Sequence, residues 1–246
     1  MGFAIDLDGV IWLADDPIPG SADAVARLRA AGERVVFCTN NSSLPVGEVE
    51  AKLARHGIPA RGDVLTSAMA AVTLVEPGER VLVCAGEGVV EALEQRRAVV
   101  VYDGEADAVM VGFHTNFDAD RLRIAVHALK RGARLLATND DLTYPTPDGL
   151  VPGGGAILAA VVAAAGVPAV VAGKPYAPMV ALVRERLGAT GTMVGDRFDT
   201  DGRFAQALGY RFALVLTGVS DASAGMDPTP EFIAADLAGL VDELLS

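Results

Sequence analysis

The chain has 246 residues, 51% of them hydrophobic and 21% charged, so it is globular and long enough for one large α/β domain or two modest ones. Its formal net charge of −12 speaks against nucleic acid or an anionic membrane as partner, since either would want a basic face. The two cysteines, Cys38 and Cys84, form neither a disulfide framework nor a zinc spacing and read as small hydrophobes in strands. The longest apolar run, residues 156–167, is too short to cross a bilayer, and the start lacks a basic, apolar leader. A cytoplasmic location is therefore expected.

The chain opens on a short apolar strand, Phe3-Ala4-Ile5, that runs straight into Asp6-Leu7-Asp8-Gly9. Two carboxylates spaced i, i+2 can serve one small volume if the backbone turns there. One can be a nucleophile, the other can give and take a proton, and together they can hold Mg²⁺. Ser21 can cap a helix that ends at Gly32. Pro45 fits the first turn of another that ends at Gly57. Strand patterns follow at residues 34–38, 80–84, 108–111, 134–137, 169–172, 192–194 and 212–216. Helical patterns occupy residues 67–75, 120–131 and 178–187. Strands alternating with helices predict a parallel sheet with helical crossovers. Turn signals at Glu76-Pro77-Gly78 and Gly173-Lys174-Pro175 mark the expected joints of an inserted domain.

Four segments repeat one pattern, a short apolar strand followed by polar residues. They are Asp6-Leu7-Asp8-Gly9, Thr39-Asn40-Asn41-Ser42-Ser43, Gly173-Lys174-Pro175 and Gly195-Asp196-Arg197-Phe198-Asp199-Thr200-Asp201. In an open α/β sheet ligands bind beyond the carboxyl ends of the strands, so the four can converge. They bring carboxylates for Mg²⁺, a hydroxyl and backbone N–H groups for oxyanions, and one ammonium. That set suits phosphoryl transfer, where positioning and charge stabilisation do most of the catalysis. Taken singly, each segment also reads as an ordinary polar loop or surface charge. Gly153-Gly154-Gly155 lacks the Gly-Lys-Ser/Thr of a phosphate-binding loop and reads as a tight packing turn. His56, His114 and His127 read as surface residues.

In this order and spacing the motifs resemble those of the haloacid dehalogenase superfamily of phosphohydrolases. The resemblance extends to the NagD-like, p-nitrophenylphosphatase-type branch through Thr66-Ser67-Ala68-Met69, Gly86-Glu87-Gly88, Thr138-Asn139-Asp140-Asp141, Pro152-Gly153-Gly154-Gly155 and Leu216-Thr217-Gly218-Val219. It implies a Rossmann-like α/β core with a central parallel sheet (residues 1–77 and 173–246) and an inserted α/β cap (residues 78–172). It implies a Mg²⁺-dependent phosphomonoester hydrolase working through an aspartyl-phosphate. Asp6 would be the nucleophile and Asp8 the general acid and base. Thr39, the N–H of Asn40 and Lys174 would bind phosphate. Asp6, Asp8 (through its carbonyl) and Asp196 would hold the metal. Asp201 would stand in the outer shell, ahead of Asp199. Tyr144, in the loop after a cap strand, would read the organic half of the substrate. Gly202 departs from the aliphatic residue common there, which weakens local packing. The expected partner is a small phosphorylated metabolite, and a homodimer is left open. A dehalogenase would need neither Asp8 nor a metal. A phosphotransferase would need a shielded aspartyl-phosphate, and a non-catalytic phosphometabolite binder gains nothing from a nucleophile.

Overall fold

The computed structural model describes residues 2–220 and 227–246. A six-stranded sheet runs in the order Phe232–Ala234, Arg211–Val215, Thr192–Gly195, Gly2–Ile5, Arg34–Thr39, Val64–Thr66. All its pairings are parallel. Chain order reverses on either side of Gly2–Ile5, which makes that strand's carboxyl end the switch point of the sheet.

Alternation along the strands sorts the core. Phe3, Ile5, Val35, Phe37 and Val194 face one layer, against the helices Ser21–Ala30, Val46–Arg55 and Leu237–Leu244. Ala4, Val36, Cys38 and Met193 face the other, against the helices Ser67–Ala71, Ala177–Leu187 and Arg203–Leu208. Both cysteines are buried and free, as expected. Burial pushes the Cys38 thiol up to about 12 and the Cys84 thiol to about 11.

A second parallel sheet lies in the chain between Val64–Thr66 and the helix Ala177–Leu187. Its order is Val170–Val171, Arg134–Ala137, Ala108–Val111, Arg80–Cys84, Val99–Val101. The helices Ala119–Lys130 and Gly154–Ala165 cover its outer face through Ala125, Leu129, Leu158 and Val161. Its inner face, with Val81, Val83 and Met110, belongs to the same apolar cluster as Ala4 and Val36 of the first sheet. Apolar contact is therefore continuous from one sheet to the other. No helix among the described residues is long and apolar enough to cross a membrane.

Several local expectations are corrected. Ser21 is the first helical residue, not its cap. Gly20 takes the cap position with φ +84°, and the Ser21 hydroxyl donates instead to Val10 O at 3.0 Å. Pro45 likewise precedes its helix. The pattern at 67–75 is an α-turn that tightens into a 3₁₀ turn, Val72–Leu74. Residues 143–146, expected as loop, form the strand Thr143–Thr146 of a hairpin with Gly149–Pro152. His114 is buried rather than superficial. Its Nδ1 lies 3.0 Å from Gly112 O, its ring meets Phe117 edge-on, and burial pushes its pKa down. Gly202 does not loosen its surroundings, because a Cβ there would come within 2.7 Å of Pro228 Cγ.

Candidate active site

Three adjacent strands of the first sheet end at the switch point, and each delivers one of the polar segments. Gly2–Ile5 delivers Asp6, Arg34–Thr39 ends on Thr39, and Thr192–Gly195 delivers Asp196. Lys174 arrives from the turn before the helix Ala177–Leu187. All four segments line one cleft of about 290 Å³, together with Phe113, Asp141, Tyr144 and Pro145 from the second sheet's side.

Lys174 sits at the centre and is 1% exposed. Its Nζ lies 2.9 Å from Asp6 Oδ2 and 2.7 Å from Asp201 Oδ1. Burial alone would lower its pKa, but Asp201 and Asp6 overcome that and hold it well above the ordinary value. Asp6 also accepts the Leu7 N–H at 2.7 Å through Oδ1. Burial pushes Asp6 up, and Lys174 pulls it back.

Asp201 lies in a single π-helical turn, Phe198–Gly202. Its Oδ2 accepts the N–H groups of Asp196 and Arg197, both at 3.2 Å. Both of its oxygens are thus engaged with protein, and it packs so closely on Gly195 that a Cβ there would lie 2.2 Å from Asp201 Cγ. Asp199, the weaker candidate, instead pairs two-pronged with Arg197 at 3.1 and 2.9 Å.

Asp196 is held differently. Its Oδ2 accepts the Val219 N–H at 2.7 Å, in a cradle where a Cβ on Gly9 or Gly218 would come within 2.5 or 1.9 Å of that oxygen. Its Oδ1 is buried with no partner. Burial, then Asp201, pushes Asp196 up to about 7. Oxygens of Asp6, Asp196 and Asp201 lie within 4.8 Å of one another. Among the described residues the only buried cation beside Asp6, Asp196 and Asp201 is Lys174, so three buried carboxyl groups share one ammonium. An unpartnered carboxylate oxygen in an all-oxygen donor set fits Mg²⁺.

Thr39 is 1% exposed, and its Oγ1 accepts the Asn41 N–H at 3.0 Å. The Asn40 side chain does something the sequence did not show. Its Oδ1 accepts the Lys174 N–H at 2.7 Å, while Nδ2 donates to Lys174 O at 3.0 Å and to Asp141 Oδ2 at 2.8 Å. It therefore fixes the backbone of the lysine segment and ties it to the second sheet's side. Asp141 completes the tie by accepting Thr200 Oγ1–H at 2.9 Å, and Arg197 Nη1 donates to Thr143 O at 3.1 Å. Tyr144 is half-buried on the hairpin and meets Phe113 edge-to-face at 5.5 Å.

The sequence of the chain finds its relatives in the same terms. A haloacid dehalogenase-like hydrolase model matches residues 3–97, and a second model of HAD-hydrolase-like type matches residues 171–240. A D-glycerol 3-phosphate phosphatase from Mycobacterium tuberculosis is 37% identical over 96% of this chain and 69% of its own. The chain belongs to the haloacid dehalogenase-like hydrolases. A crystal structure of a glycerol phosphate phosphatase from the same organism, in complex with magnesium, is 34% identical and superposes with a TM-score of 0.89 over 97% of this chain and 75% of that one. A p-nitrophenyl phosphatase from Archaeoglobus fulgidus is 29% identical with a TM-score of 0.89 over 98% of both chains. Within the haloacid dehalogenase-like hydrolases, the chain falls in the NagD-like, p-nitrophenylphosphatase-type branch, whose members named here are phosphatases.

Proposed function

We propose that the chain hydrolyses small organic phosphomonoesters with Mg²⁺, through an aspartyl-phosphate on Asp6. The observation that carries this reading is the Asp6–Lys174–Asp201 chain of contacts beside the unpartnered Asp196 oxygen. Asp6, Asp196 and the Asp8 carbonyl would hold the metal, which neutralises phosphoryl charge when bound. Asp6 attacks phosphorus as the ester P–O bond breaks. Asp8 gives its proton to the departing alkoxide; burial holds its carboxyl above the ordinary value, which favours the protonated donor. Asp8 then takes a proton from water, which attacks phosphorus, frees Asp6 and releases phosphate. Thr39, the Asn40 N–H and Lys174 steady the phosphoryl oxygens.

The relatives act on glycerol phosphate and p-nitrophenyl phosphate by their names, and substrates of that size suit the cleft. Residues 78–172 act as the cap, and the hairpin reads the substrate's organic half. The direct test is p-nitrophenyl phosphate turnover. Activity falls to about one hundredth or less in EDTA and returns with added Mg²⁺. Turnover indifferent to EDTA overturns the reading.

Tyr144 lines the cleft, and its side chain has a flat apolar face and a hydroxyl. Tyr144→Ala is expected to change relative kcat/KM among natural phosphomonoesters by roughly tenfold, while p-nitrophenyl phosphate stays within about twofold. A parallel drop on every substrate would indicate a closure defect instead.

A further inference from the structure

A buried polar donor beside the cleft has no role in the chemistry above. Trp12 is the only tryptophan of the chain and is 3% exposed. Its indole Nε1–H donates to Asp8 Oδ1 at 3.0 Å. The loop that joins them, through Gly9, Val10 and Ile11, closes on itself. The Gly9 N–H donates to Trp12 O at 2.8 Å, and the Ile11 N–H donates to Leu7 O at 2.8 Å. Trp12 then pairs with Pro17 across a two-residue hairpin. The indole is thus anchored to the same short loop that carries the carboxyl, and its own backbone is fixed.

The ring is held from outside as well. Lys52 Nζ lies 4.3 Å from the ring centroid, and His56 packs at 5.9 Å. Lys52 is itself tied to Ala14 O and, at 3.1 Å, to Asp15. A cation over an indole is attracted by the ring face and draws electron density from it, which strengthens the N–H as a donor.

We propose that Trp12 is the positioning residue for the Asp8 carboxyl, with Lys52 steadying the ring. An aspartate has few but distinct side-chain rotamers. Only one of them carries the proton toward an oxygen leaving from phosphorus bound at Asp6, and the indole N–H selects it. The inference rests on Asp8 acting as general acid, and that dependence can be separated in the test.

Proton donation matters most for poor leaving groups. Trp12→Phe keeps an aromatic ring for Lys52 and removes the donor, along with some buried ring volume. Its single-turnover aspartylation rate on glycerol phosphate should fall roughly tenfold, while that on p-nitrophenyl phosphate falls less than about twofold. An equal fall on both substrates overturns the proposal, because a general packing defect does not distinguish leaving groups. Asp8→Asn is run in parallel and should show the same split, only larger. Without that split the acid is not Asp8, and the proposal falls with it. Should Trp12→Phe fail to fold, the unmodified indole decides. A lone tryptophan gives one indole N–H signal by NMR, with no assignment needed. That proton should exchange with solvent more slowly in the wild type than in Asp8→Ala. Equal exchange would show that the bond is not made in solution and would overturn the proposal.

Discussion

Asp6→Asn will reduce kcat on p-nitrophenyl phosphate to about 10⁻⁴ of wild type or lower, in line with removal of a covalent nucleophile elsewhere. The carboxamide has the same shape and keeps a carbonyl oxygen for the Leu7 N–H. What it lacks is the anionic oxygen that forms the bond to phosphorus. Wild-type enzyme quenched in acid during turnover should carry phosphate that hydroxylamine releases, and the variant should carry none. The fold should survive. Burial holds Asp6 above the ordinary carboxylate value, so its ionised form costs stability once the pH exceeds that of the unfolded chain. In EDTA at pH 8 the neutral asparagine escapes this cost, and the variant should melt no lower than wild type. Near wild-type turnover would remove Asp6 as the nucleophile.

The parts of the site that the sequence displayed are those written as short strand plus polar end. Ile5-Asp6, Cys38-Thr39 and Val194-Gly195-Asp196 are readable because a buried parallel strand is a compact apolar run, and the change of residue type marks its carboxyl end. Three strands of the two parallel sheets were not foreseen, Val64–Thr66, Val99–Val101 and Phe232–Ala234. Each has three residues and lies at an edge of its sheet, too short a run to write a pattern, even where, as in Val64–Thr66, all three residues are buried. The hairpin at 143–152 was hidden by Pro145, Pro147 and Pro152, which read as loop. The second, internal joints of the site were illegible for another reason. Asn40 was chosen for its N–H, yet its side chain does the tying, across 101 and 134 residues of sequence. Trp12 sits in the apolar run Val10-Ile11-Trp12-Leu13, and nothing in that run shows that its indole N–H faces Asp8. Gly218 could be singled out only as part of a motif, since nothing local shows that Asp196 fills the space a Cβ would need. Long-range contacts of single side chains leave no period in a sequence.

Lys174 tests whether this cluster is held together by charge. Among the described residues its ammonium is the sole buried cation beside the carboxylates Asp6, Asp196 and Asp201, and its two partners are within 3 Å. Lys174→Met keeps the aliphatic stem and deletes the charge. Breaking a buried pair by removing one partner leaves the other uncompensated, at a cost of about 3–5 kcal/mol. For a chain of this size that lowers the melting temperature by roughly 10 °C, measurable by circular dichroism in EDTA. The sign of the pH dependence follows from Asp6. Burial already raises its pKa, and Lys174 is the contact that most lowers it. Without Lys174 the folded value rises further above the unfolded one, so the stability deficit should widen from pH 5 to pH 8 as the carboxyl is forced to ionise. Asp201→Asn added to Lys174→Met removes the second stranded charge and should recover part of the loss, whereas Asp201→Asn alone should destabilise. Catalysis should not recover in the double variant, because the ammonium that balances Asp6 against phosphate is still missing. Equal stability of Lys174→Met and wild type at pH 8 would mean that the carboxylates are not held by this cation.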